Sequence, residues 1–493
     1  MTPHVYPLDG TVEHTRADIG GKAFSVNEMR RLGLPVPPAF VLPTAECAQY
    51  RNAGNTLGAE AWDQIVAAIG ELESATGRQF GRGPSPLLVS VRSGAAESMP
   101  GMMDTVLNLG LNDELVTALT AESGDEAWAV DTWHRFRESY ATIVAGDPGA
   151  EPPADPWQQL RTAIGAVFQS WDSTRAVAYR HRHGMENLSG TAVTVQAMVF
   201  GNRDADSGTG VLFSRNPSTG AAEPTGDWLA RAQGEEVVSG ARTPETLEAF
   251  AVAHEELHQE LLRVSSLVEH ELRDMADIEF TVESGRLYVL QSRVGKRSPA
   301  AAVRIAVDLV HEGTIERAEA VERMSGEHAA RLADTNAIDA SAPVIASGTG
   351  IGTGIASGIA VTDLDEAEDR AASGVDVVLV RGMTAPDDVP TMFQSVAVVT
   401  ETGGPTSHAA LVCREIGLPC VVGCGEGTIS ALVGKLVTVD GTSGLIYEGV
   451  SGTGTASIDP NLAEFLSYLS WPVPAEHPLA PLAHLAPTMG VAR

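Results

Sequence analysis

Short apolar runs bounded by glycine, serine and proline recur through the first 300 residues of the chain. Such runs are typical of buried strands, whereas apolar positions that recur every three or four residues are typical of helices. Strand patterns occupy residues 87–92, 191–200, 210–214, 276–282 and 287–292, and the last two are predicted to form a hairpin. Helical spacing fills residues 112–180, with a proline-rich interruption at 149–156. The pattern predicts a mixed α+β fold.

The pattern of the sequence changes near residue 341, where shorter valine-rich runs alternate with predicted turns and helices. These runs predict a compact, separate αβ domain. Before it, residues 301–335 are rich in Ala, Glu and Arg and predict a helical connector, which we expect to act as a hinge rather than as buried core. We predict a multidomain protein. Its first domain covers residues 1–300 and includes a helical subdomain at about 112–185. A helical linker at 301–340, the αβ domain at 341–452 and a tail at 453–493 follow, and the tail has a helix around 462–469.

Charge and composition exclude several classes of protein. Among 493 residues, 33 Lys and Arg stand against 64 Asp and Glu, giving a net charge of −31. Such acidity disfavours binding of nucleic acid or an anionic membrane through bulk electrostatics. No apolar run approaches the ~20 residues that cross a bilayer, and the first residues do not resemble a signal peptide. We therefore expect a cytoplasmic protein with no membrane or nucleic-acid partner. The four cysteines form no CxxC pair, which disfavours a zinc or redox role.

The strongest chemical feature is the segment 403–411, in which two glycines precede Pro-Thr-Ser-His408 and an apolar helical pattern at 407–416. A histidine in the first turn of a helix lies where free N–H groups favour negative charge. A neutral imidazole is a competent nucleophile at pH 7, and this helix terminus would stabilise a phosphoryl group on His408. For an isolated histidine, capping or packing at a tight turn would be the alternative.

Two cations lie next to glycines in sequences that suit phosphate binding. Lys22 follows Gly20 and Gly21, but Ala23 and the absence of the earlier glycine exclude a Walker A loop. Arg92 ends a predicted buried strand and begins a small-residue loop, a setting that suits bidentate binding of phosphate. The alternatives are a solvated lysine and a structural salt bridge.

The predicted hairpin carries two pairs of polar residues at i, i+2 spacing. Asp277 and Glu279 share one face of the first strand, and Gln291 and Arg293 share one face of the second. Residues 283–285 fit a three-residue loop that ends in glycine. Two carboxylates beside Gln and Arg suit Mg²⁺ and the nucleotide phosphates that it bridges. An ordinary solvated hairpin face is the alternative.

Three glycine-containing segments are less specific in the function they indicate. Residues 206–217 suit either a flexible loop that covers phosphates or a plain hairpin turn. The runs 348–358 and 423–427 have no GxGxxG at the proper offsets, which excludes a dinucleotide-binding Rossmann fingerprint.

Taken together, these segments resemble the pyruvate, phosphate dikinase and phosphoenolpyruvate synthase family over residues 19–447. The motifs that carry the resemblance lie at residues 20–22, 33–38, 89–111, 207–220, 277–280 and 404–410. The resemblance implies an ATP-grasp nucleotide-binding domain followed by a phosphohistidine swivel domain. It also implies ATP as substrate, Mg²⁺ as cofactor, and a pyrophosphoryl-histidine whose terminal group passes to inorganic phosphate.

The resemblance assigns roles to individual positions. His408 would be the phosphoryl carrier, and Asp277 and Glu279 would bind Mg²⁺. Seven residues would contact ATP or its phosphates: Lys22, Arg92, Gly101, Asp104, Thr105, Gln291 and Arg293. Thr402 stands where the dikinases usually have Arg, and Pro405 stands where they have Met. Thr402 and Thr406 are therefore candidate modulators of His408.

The identity of the final acceptor is left open by the sequence. In the family, the swivel domain delivers the phosphoryl group to a barrel that binds pyruvate, and a β/α barrel takes about 250 residues. Residues 453–493 are too few for one, so we expect an acceptor on a separate barrel protein. A kinase for another small-molecule acceptor, and a non-catalytic nucleotide-binding regulator, are the alternatives. The regulator is disfavoured because all the expected site residues are present together.

Overall fold

The computed structural model divides the chain into two compact units, Met1–Ser207 with Thr281–Ser292, and Gly208–Phe280 with Arg293–Arg493. The residues that it describes are 3–97, 99, 103–182, 184–234, 236, 244–332, 336–337, 343–352, 354–385, 388–449, 454–455, 459–469, 474 and 476–482. Gly101, a predicted phosphate contact, lies outside the described residues. No described helix is long and apolar enough to span a bilayer.

The first unit contains a five-stranded antiparallel sheet in the order β1-β2-β7-β5-β6. Its strands are β1 (Tyr6–Pro7), β2 (Ala39–Leu42), β5 (Val89–Gly94), β6 (Thr105–Leu109) and β7 (Ala192–Ala197), and a separate pair joins β3 (Gln79–Phe80) to β4 (Pro86–Leu87). Alternate residues such as Val89, Val91, Val193 and Val195 pack into the main core. The other face of β5 and β7 carries Ser90, Arg92, Thr194 and Gln196.

The described residues of the first unit also form seven α-helices: α1 (Arg16–Arg31), α2 (Thr44–Asn52), α3 (Ala59–Thr76), α4 (Asp113–Ser123), α5 (Glu126–Ser139), α6 (Pro156–Ser170) and α7 (Thr174–Arg182). A π-helix, Tyr140–Ala145, continues α5. The predicted proline-rich break falls between this π-helix and α6. Asp155 caps α6 by accepting the Trp157 amide, and Pro156 occupies the first helical turn, where its missing N–H costs nothing.

The second sheet has the order β10-β9-β8-β11-β12. Its strands are β8 (Gly208–Phe213), β9 (Thr225–Ala230), β10 (Glu245–Thr246), β11 (Ala276–Glu283) and β12 (Arg286–Val294). The predicted hairpin of β11 and β12 is present, but the three-residue loop is wrong. Ser284 and Gly285 alone connect the strands, with φ of 49° and 74°. A two-residue turn with both φ values positive matches the twist of the paired strands.

Helices of the second unit before residue 333 are α8 (Leu247–Ala253), α9 (Glu255–Leu272), α10 (Pro299–His311), α11 (Arg317–Glu322) and α12 (Gly326–Leu332). The connector is helical, as the composition predicts. Its expected exclusion from the core is wrong for α10, because Val303, Ile305, Val307 and Leu309 are buried in a hydrophobic cluster. The tail helix α17 (Pro460–Leu466) packs on α10 and contributes Phe465 and Leu466 to the same cluster.

The third sheet has eight strands in the order β14-β21-β20-β16-β17-β18-β19-β15, and β16 to β19 run parallel. Its strands are β14 (Val344–Ser347), β15 (Thr349–Gly350), β16 (Ile355–Val361), β17 (Val377–Arg381), β18 (Ala397–Thr400), β19 (Cys420–Val422), β20 (Leu436–Asp440) and β21 (Leu445–Glu448). Its helices are α13 (Leu364–Ala372), α14 (Val389–Gln394), α15 (His408–Ile416) and α16 (Thr428–Leu432). A further short pair joins β13 (Asn336–Ala337) to β22 (Gly454–Thr455).

Candidate active site

Lys22 is positioned by a break in α1. Gly20 has φ of 77° inside the helix, and a Cβ there would lie 2.0 Å from the Gly94 carbonyl oxygen. The Gly21 amide donates to the Ala95 carbonyl at 2.8 Å. Only glycine permits this close approach, which fastens the helix to the end of β5. A Cβ on Gly94 would lie 3.7 Å from the Lys22 Cβ, so Lys22 stands at that strand end.

Arg92 lies on β5 two residues before Gly94, directly opposite Thr105 on β6 and Thr194 on β7. The sheet therefore brings together the predicted residues Arg92 and Thr105. Arg92 Nε and Thr194 Oγ1 are buried without a hydrogen-bond partner in the described structure. Buried polar atoms are rarely left unpaired, so these two atoms suit a polar ligand on this face. Asp104, the neighbouring prediction, forms an ion pair with Arg175.

Asp277 and Arg293 face each other across the β11–β12 hairpin. Arg293 Nε donates to Asp277 Oδ2 at 2.7 Å, while Asp277 Oδ1 is buried and has no hydrogen-bond partner among the described residues. The carboxylate is 1 % exposed, and its burial raises the pKa of Asp277 against the attraction of Arg293. Glu279 lies two residues along the same face of β11, and Gln291 lies two residues before Arg293 on β12.

This hairpin fits a magnesium ion that completes its coordination with substrate oxygens. Magnesium is commonly held by one or two carboxylates together with phosphates and water. Asp277 offers a buried carboxylate oxygen that no described residue pairs with, and Glu279 offers a second carboxylate on the same face. Among the described residues, no group of three or more His, Cys, Asp or Glu is placed to hold a metal by itself. The residues therefore suit a metal that arrives with nucleotide phosphates.

His408 is the first residue of α15, which begins one residue later than predicted. Ser407 is the N-cap, and its hydroxyl accepts the Ala410 amide. Gly403 precedes it with φ of 108°, and a Cβ there would lie 3.1 Å from the Ser407 side chain. The glycine thus allows the chain to turn sharply into the helix. The free amides of the first turn and the helix dipole favour an anionic group on the imidazole.

The imidazole of His408 has a fixed orientation. Thr384 Oγ1 lies 3.2 Å from His408 Nδ1, while in the described structure Nε2 makes no hydrogen bond. When Nδ1 carries the proton and donates it to Thr384, the lone pair of Nε2 is available for attack. Burial lowers the pKa of His408, with the nearby Asp388 acting in the opposite sense. A lowered pKa favours the neutral, nucleophilic form at pH 7.

The two candidate modulators occupy different surroundings. The Thr402 hydroxyl and amide both donate to the Gly382 carbonyl, at 2.9 and 3.0 Å, and tie the His408 loop to the end of β17. Thr406 instead contacts Asp227 on β9, whose Oδ2 accepts the Thr406 amide at 3.0 Å and its hydroxyl at 2.5 Å. The second unit therefore places residues 403–411, which we call the His408 segment, against the sheet that also carries Asp277.

Sequence reasoning missed four residues of this arrangement: Thr194, Asp227, Thr384 and Arg414. Thr194 and Asp227 lie in buried strands, where a single polar residue carries no distinctive pattern. Thr384 follows β17 in a loop with no recognisable motif. Arg414 lies in the apolar pattern of α15 and is 1 % exposed. The role of each of these residues becomes evident only from its contacts in the folded structure.

Comparison with known proteins gives independent information. Residues 55–258 match the family model of the pyruvate phosphate dikinase AMP/ATP-binding domain, and residues 374–444 match that of the mobile domain of PEP-utilising enzymes. His408 lies inside the second match.

Three curated relatives illustrate the similarity. Pyruvate, phosphate dikinase from Rhizobium meliloti is 41% identical over 90% of this chain and 57% of its own length. The protein of that name from Clostridium symbiosum is 38% identical over 93% of this chain and 59% of its own. Pyruvate, phosphate dikinase 1, chloroplastic, from Arabidopsis thaliana is 39% identical over 91% and 53%. The chain thus spans somewhat over half the length of these relatives.

The similarity includes both the nucleotide-binding part and the part that carries His408, and it extends over nine-tenths of the sequence. The chain thus carries the two domains that these family models describe, the AMP/ATP-binding domain of pyruvate phosphate dikinase and the mobile domain of PEP-utilising enzymes.

Proposed function

We propose that this protein transfers a phosphoryl group from ATP, with inorganic phosphate as second substrate, to Nε2 of His408. The observation that carries the proposal is the setting of His408. The imidazole stands at a helix N-terminus, its Nδ1 is held by Thr384, and burial lowers its pKa. These three features supply a neutral nucleophile and an electrostatic site for the phosphoryl product.

The proposed reaction has two balanced steps. Nε2 of His408 attacks the β-phosphorus of ATP, so that the N–P bond forms, the bond from the α,β-bridging oxygen to the β-phosphorus breaks, and AMP leaves. The Nδ1 proton remains on the imidazole beside Thr384. An oxygen of inorganic phosphate then attacks the terminal phosphorus, pyrophosphate leaves, and one phosphoryl group stays on His408. Phosphoryl transfer of this kind depends on positioning and charge neutralisation.

The residues predicted to bind ATP would supply that neutralisation. Lys22 and Arg92 stand at one end of β5, and Arg293 and Gln291 lie on β12. Thr105 lies beside Arg92, and Asp104 holds Arg175 near this strand end. Asp277 and Glu279 would hold Mg²⁺, which supplies charge for the phosphates when bound.

Isotope position in ATP tests the proposal. We would incubate the protein with Mg²⁺, inorganic phosphate and ATP labelled at either the β- or the γ-phosphorus. The β-label should remain on the protein as an acid-labile adduct, and the γ-label should appear in pyrophosphate. His408→Ala should abolish the adduct. Retention of the γ-label after phosphate is added would indicate a simple kinase, and persistence of the adduct in His408→Ala would refute the role of His408.

The final acceptor is a separate proposal. The relatives are named for pyruvate, so pyruvate bound to a separate barrel protein is the first candidate, and another small molecule is the second. Addition of purified barrel protein and pyruvate to labelled protein should discharge His408 in the first case. We also propose a cytoplasmic location, which cell fractionation would test.

A further inference from the structure

Asp227 is a buried carboxylate whose described hydrogen bonds come from the His408 segment. It lies on β9 and is 4 % exposed, and its Oδ2 accepts both the amide and the hydroxyl of Thr406. Burial raises the pKa of Asp227, while the two bonds from Thr406 and the charge of Arg414 act in the opposite sense. A carboxylate removed from water requires such donors, so Asp227 and Thr406 stabilise each other only while they are in contact.

The backbone before His408 fits closely around this carboxylate. A Cβ on Gly404 would lie 3.1 Å from Asp227 Oδ2 and 3.1 Å from the Pro244 ring. That spacing is tighter than ordinary van der Waals contact, so a side chain at position 404 would push the segment away from β9. Gly404, the second glycine of the segment 403–411, therefore allows the backbone to approach the Asp227 carboxylate closely.

Arg414 brings the other end of α15 to the same sheet. Its Nη1 donates to the Pro405 carbonyl, and its guanidinium lies 5.5 Å from the ring centre of Phe213 on β8. Its charge is attracted to both Asp227 and Asp277, while burial lowers the pKa of Arg414 to about 10. One arginine thus links the loop of His408 to strands β8, β9 and β11.

Where α15 packs on the sheet, Arg414 has two polar atoms without a hydrogen-bond partner among the described residues. Arg414 Nε and Nη2 are buried without a partner in the described structure. In a permanent core, such donors are rare because their desolvation is not offset. At a surface that opens and closes, they return to water in the open state. The incomplete pairing therefore favours a contact that is made and broken over a permanent one.

We propose that Asp227 is the docking receptor for the His408 segment while the nucleotide phosphorylates His408, that Thr406 is the group it holds by hydrogen bonds, and that Arg414 is a cation it attracts. The partner of this surface is another part of the same chain. Asp227, Thr406 and Arg414 are positioning residues, since they act through the placement of α15. The role of docking in phosphorylation rests on the proposed function, but the docking contact itself can be measured without nucleotide.

Hydrogen exchange at the Thr406 amide measures docking directly. In the wild-type protein without nucleotide, this amide donates to Asp227 and should be protected. Asp227→Ala should raise its exchange rate by about 10-fold or more, because a bond to a charged acceptor is lost. Glu223→Ala removes an exposed carboxylate four residues earlier and should leave the rate within about 2-fold of the wild type. Unchanged exchange in Asp227→Ala would overturn the proposal.

Two phosphoryl donors separate docking from chemistry. Phosphoramidate phosphorylates exposed imidazoles without a nucleotide site, whereas ATP requires the docked arrangement. Asp227→Ala should lose about 10-fold or more of its ATP-dependent rate, while its phosphoramidate rate should not fall, because undocking can only expose the imidazole further. Equal ATP-dependent rates in Asp227→Ala and the wild type would overturn the positioning role. If ATP fails to label the wild type, the proposed function fails, and hydrogen exchange alone then decides the docking contact.

A double-mutant cycle tests the pairing of the two residues. Thr406→Val removes the hydroxyl and keeps a similar shape. If this hydroxyl acts through Asp227, the double variant Asp227→Ala/Thr406→Val should be no slower with ATP than Asp227→Ala, within about 2-fold. Losses that multiply independently would contradict the pairing. A melting temperature close to that of Glu223→Ala in each variant shows that the fold is retained.

Discussion

Thr384 Oγ1 lies 3.2 Å from Nδ1 of His408 and joins the loop after β17 to the first residue of α15. The contact assigns different tasks to the two ring nitrogens: Nδ1 is held, and Nε2 is the nucleophile. Thr384 therefore acts on the reaction through the tautomer and orientation of the imidazole.

Replacement of Thr384 tests that role. Thr384→Val should slow phosphorylation of His408 from ATP by about 10- to 100-fold, because the ring loses the group that fixes its tautomer. Thr384→Ser keeps the hydroxyl and should restore most of the rate. Rapid-quench measurement of the acid-labile adduct compares the three proteins, and equal losses in the Val and Ser variants would indicate a packing role instead.

The pH dependence of His408 phosphorylation follows from its lowered pKa. The neutral imidazole attacks, so the rate should fall as pH decreases through the pKa of His408, with a midpoint below the ordinary value of 6.5. The same shift means that the unfolded chain binds this proton more readily, so the contribution of His408 to stability decreases as pH falls through 6.5. Histidine NMR titration of the folded protein measures the midpoint, and a value above 6.5 would contradict the expectation.

Asp277 and Glu279 are expected to act on the metal rather than on the fold. Asp277→Asn should weaken the apparent affinity for Mg²⁺ in the presence of ATP by about 10- to 100-fold. Glu256→Gln, an exposed neutralisation on α9, is the matched control and should bind Mg²⁺ as the wild type does. Calorimetric titration with Mg²⁺ and a non-hydrolysable ATP analogue gives the affinities. Equal affinities in the two variants would remove Asp277 from the metal site.

Arg92 should matter for nucleotide binding more than a surface arginine does. Arg92→Ala removes a cation whose buried Nε has no partner in the described structure, and should weaken ATP binding by about 10-fold or more. Arg82, which pairs with Glu73 at the surface, provides the control Arg82→Ala. Fluorescence titration with a labelled ATP analogue compares the two, and equal affinities would assign Arg92 a structural role.

Gly20 is expected to be irreplaceable. Gly20→Ala places a Cβ 2.0 Å from the Gly94 carbonyl oxygen at φ of 77°, which should cost about 3 kcal/mol of unfolding free energy. Gly70→Ala, in open space within α3, should instead stabilise by about 1 kcal/mol through helix propensity. Urea unfolding of both variants provides the comparison, and a neutral Gly20→Ala would show that α1 can shift from β5.

The sequence predicts local features of the site well because those features depend on nearby residues. The period-two pairs at 277 and 279 and at 291 and 293 place their side chains, and the run Gly-Gly-Pro-Thr-Ser-His at 403–408 marks the start of a helix. Contacts such as Asp227 with Thr406 join residues 179 positions apart, and strand β9 itself carries no strong alternating pattern. The buried role of α10 was missed because its covering helix, α17, comes from the far end of the chain.

The pairing of β13 with β22 has a mechanical consequence. These strands lie on either side of the eight-stranded sheet in sequence, and the segments beyond them, α10 and α17, pack into one cluster. The body that carries His408 is therefore attached by an outgoing and a returning strand that are hydrogen-bonded to each other. The pairing holds the chain entering this body beside the chain leaving it, so the two crossings lie at one place instead of two separate ones.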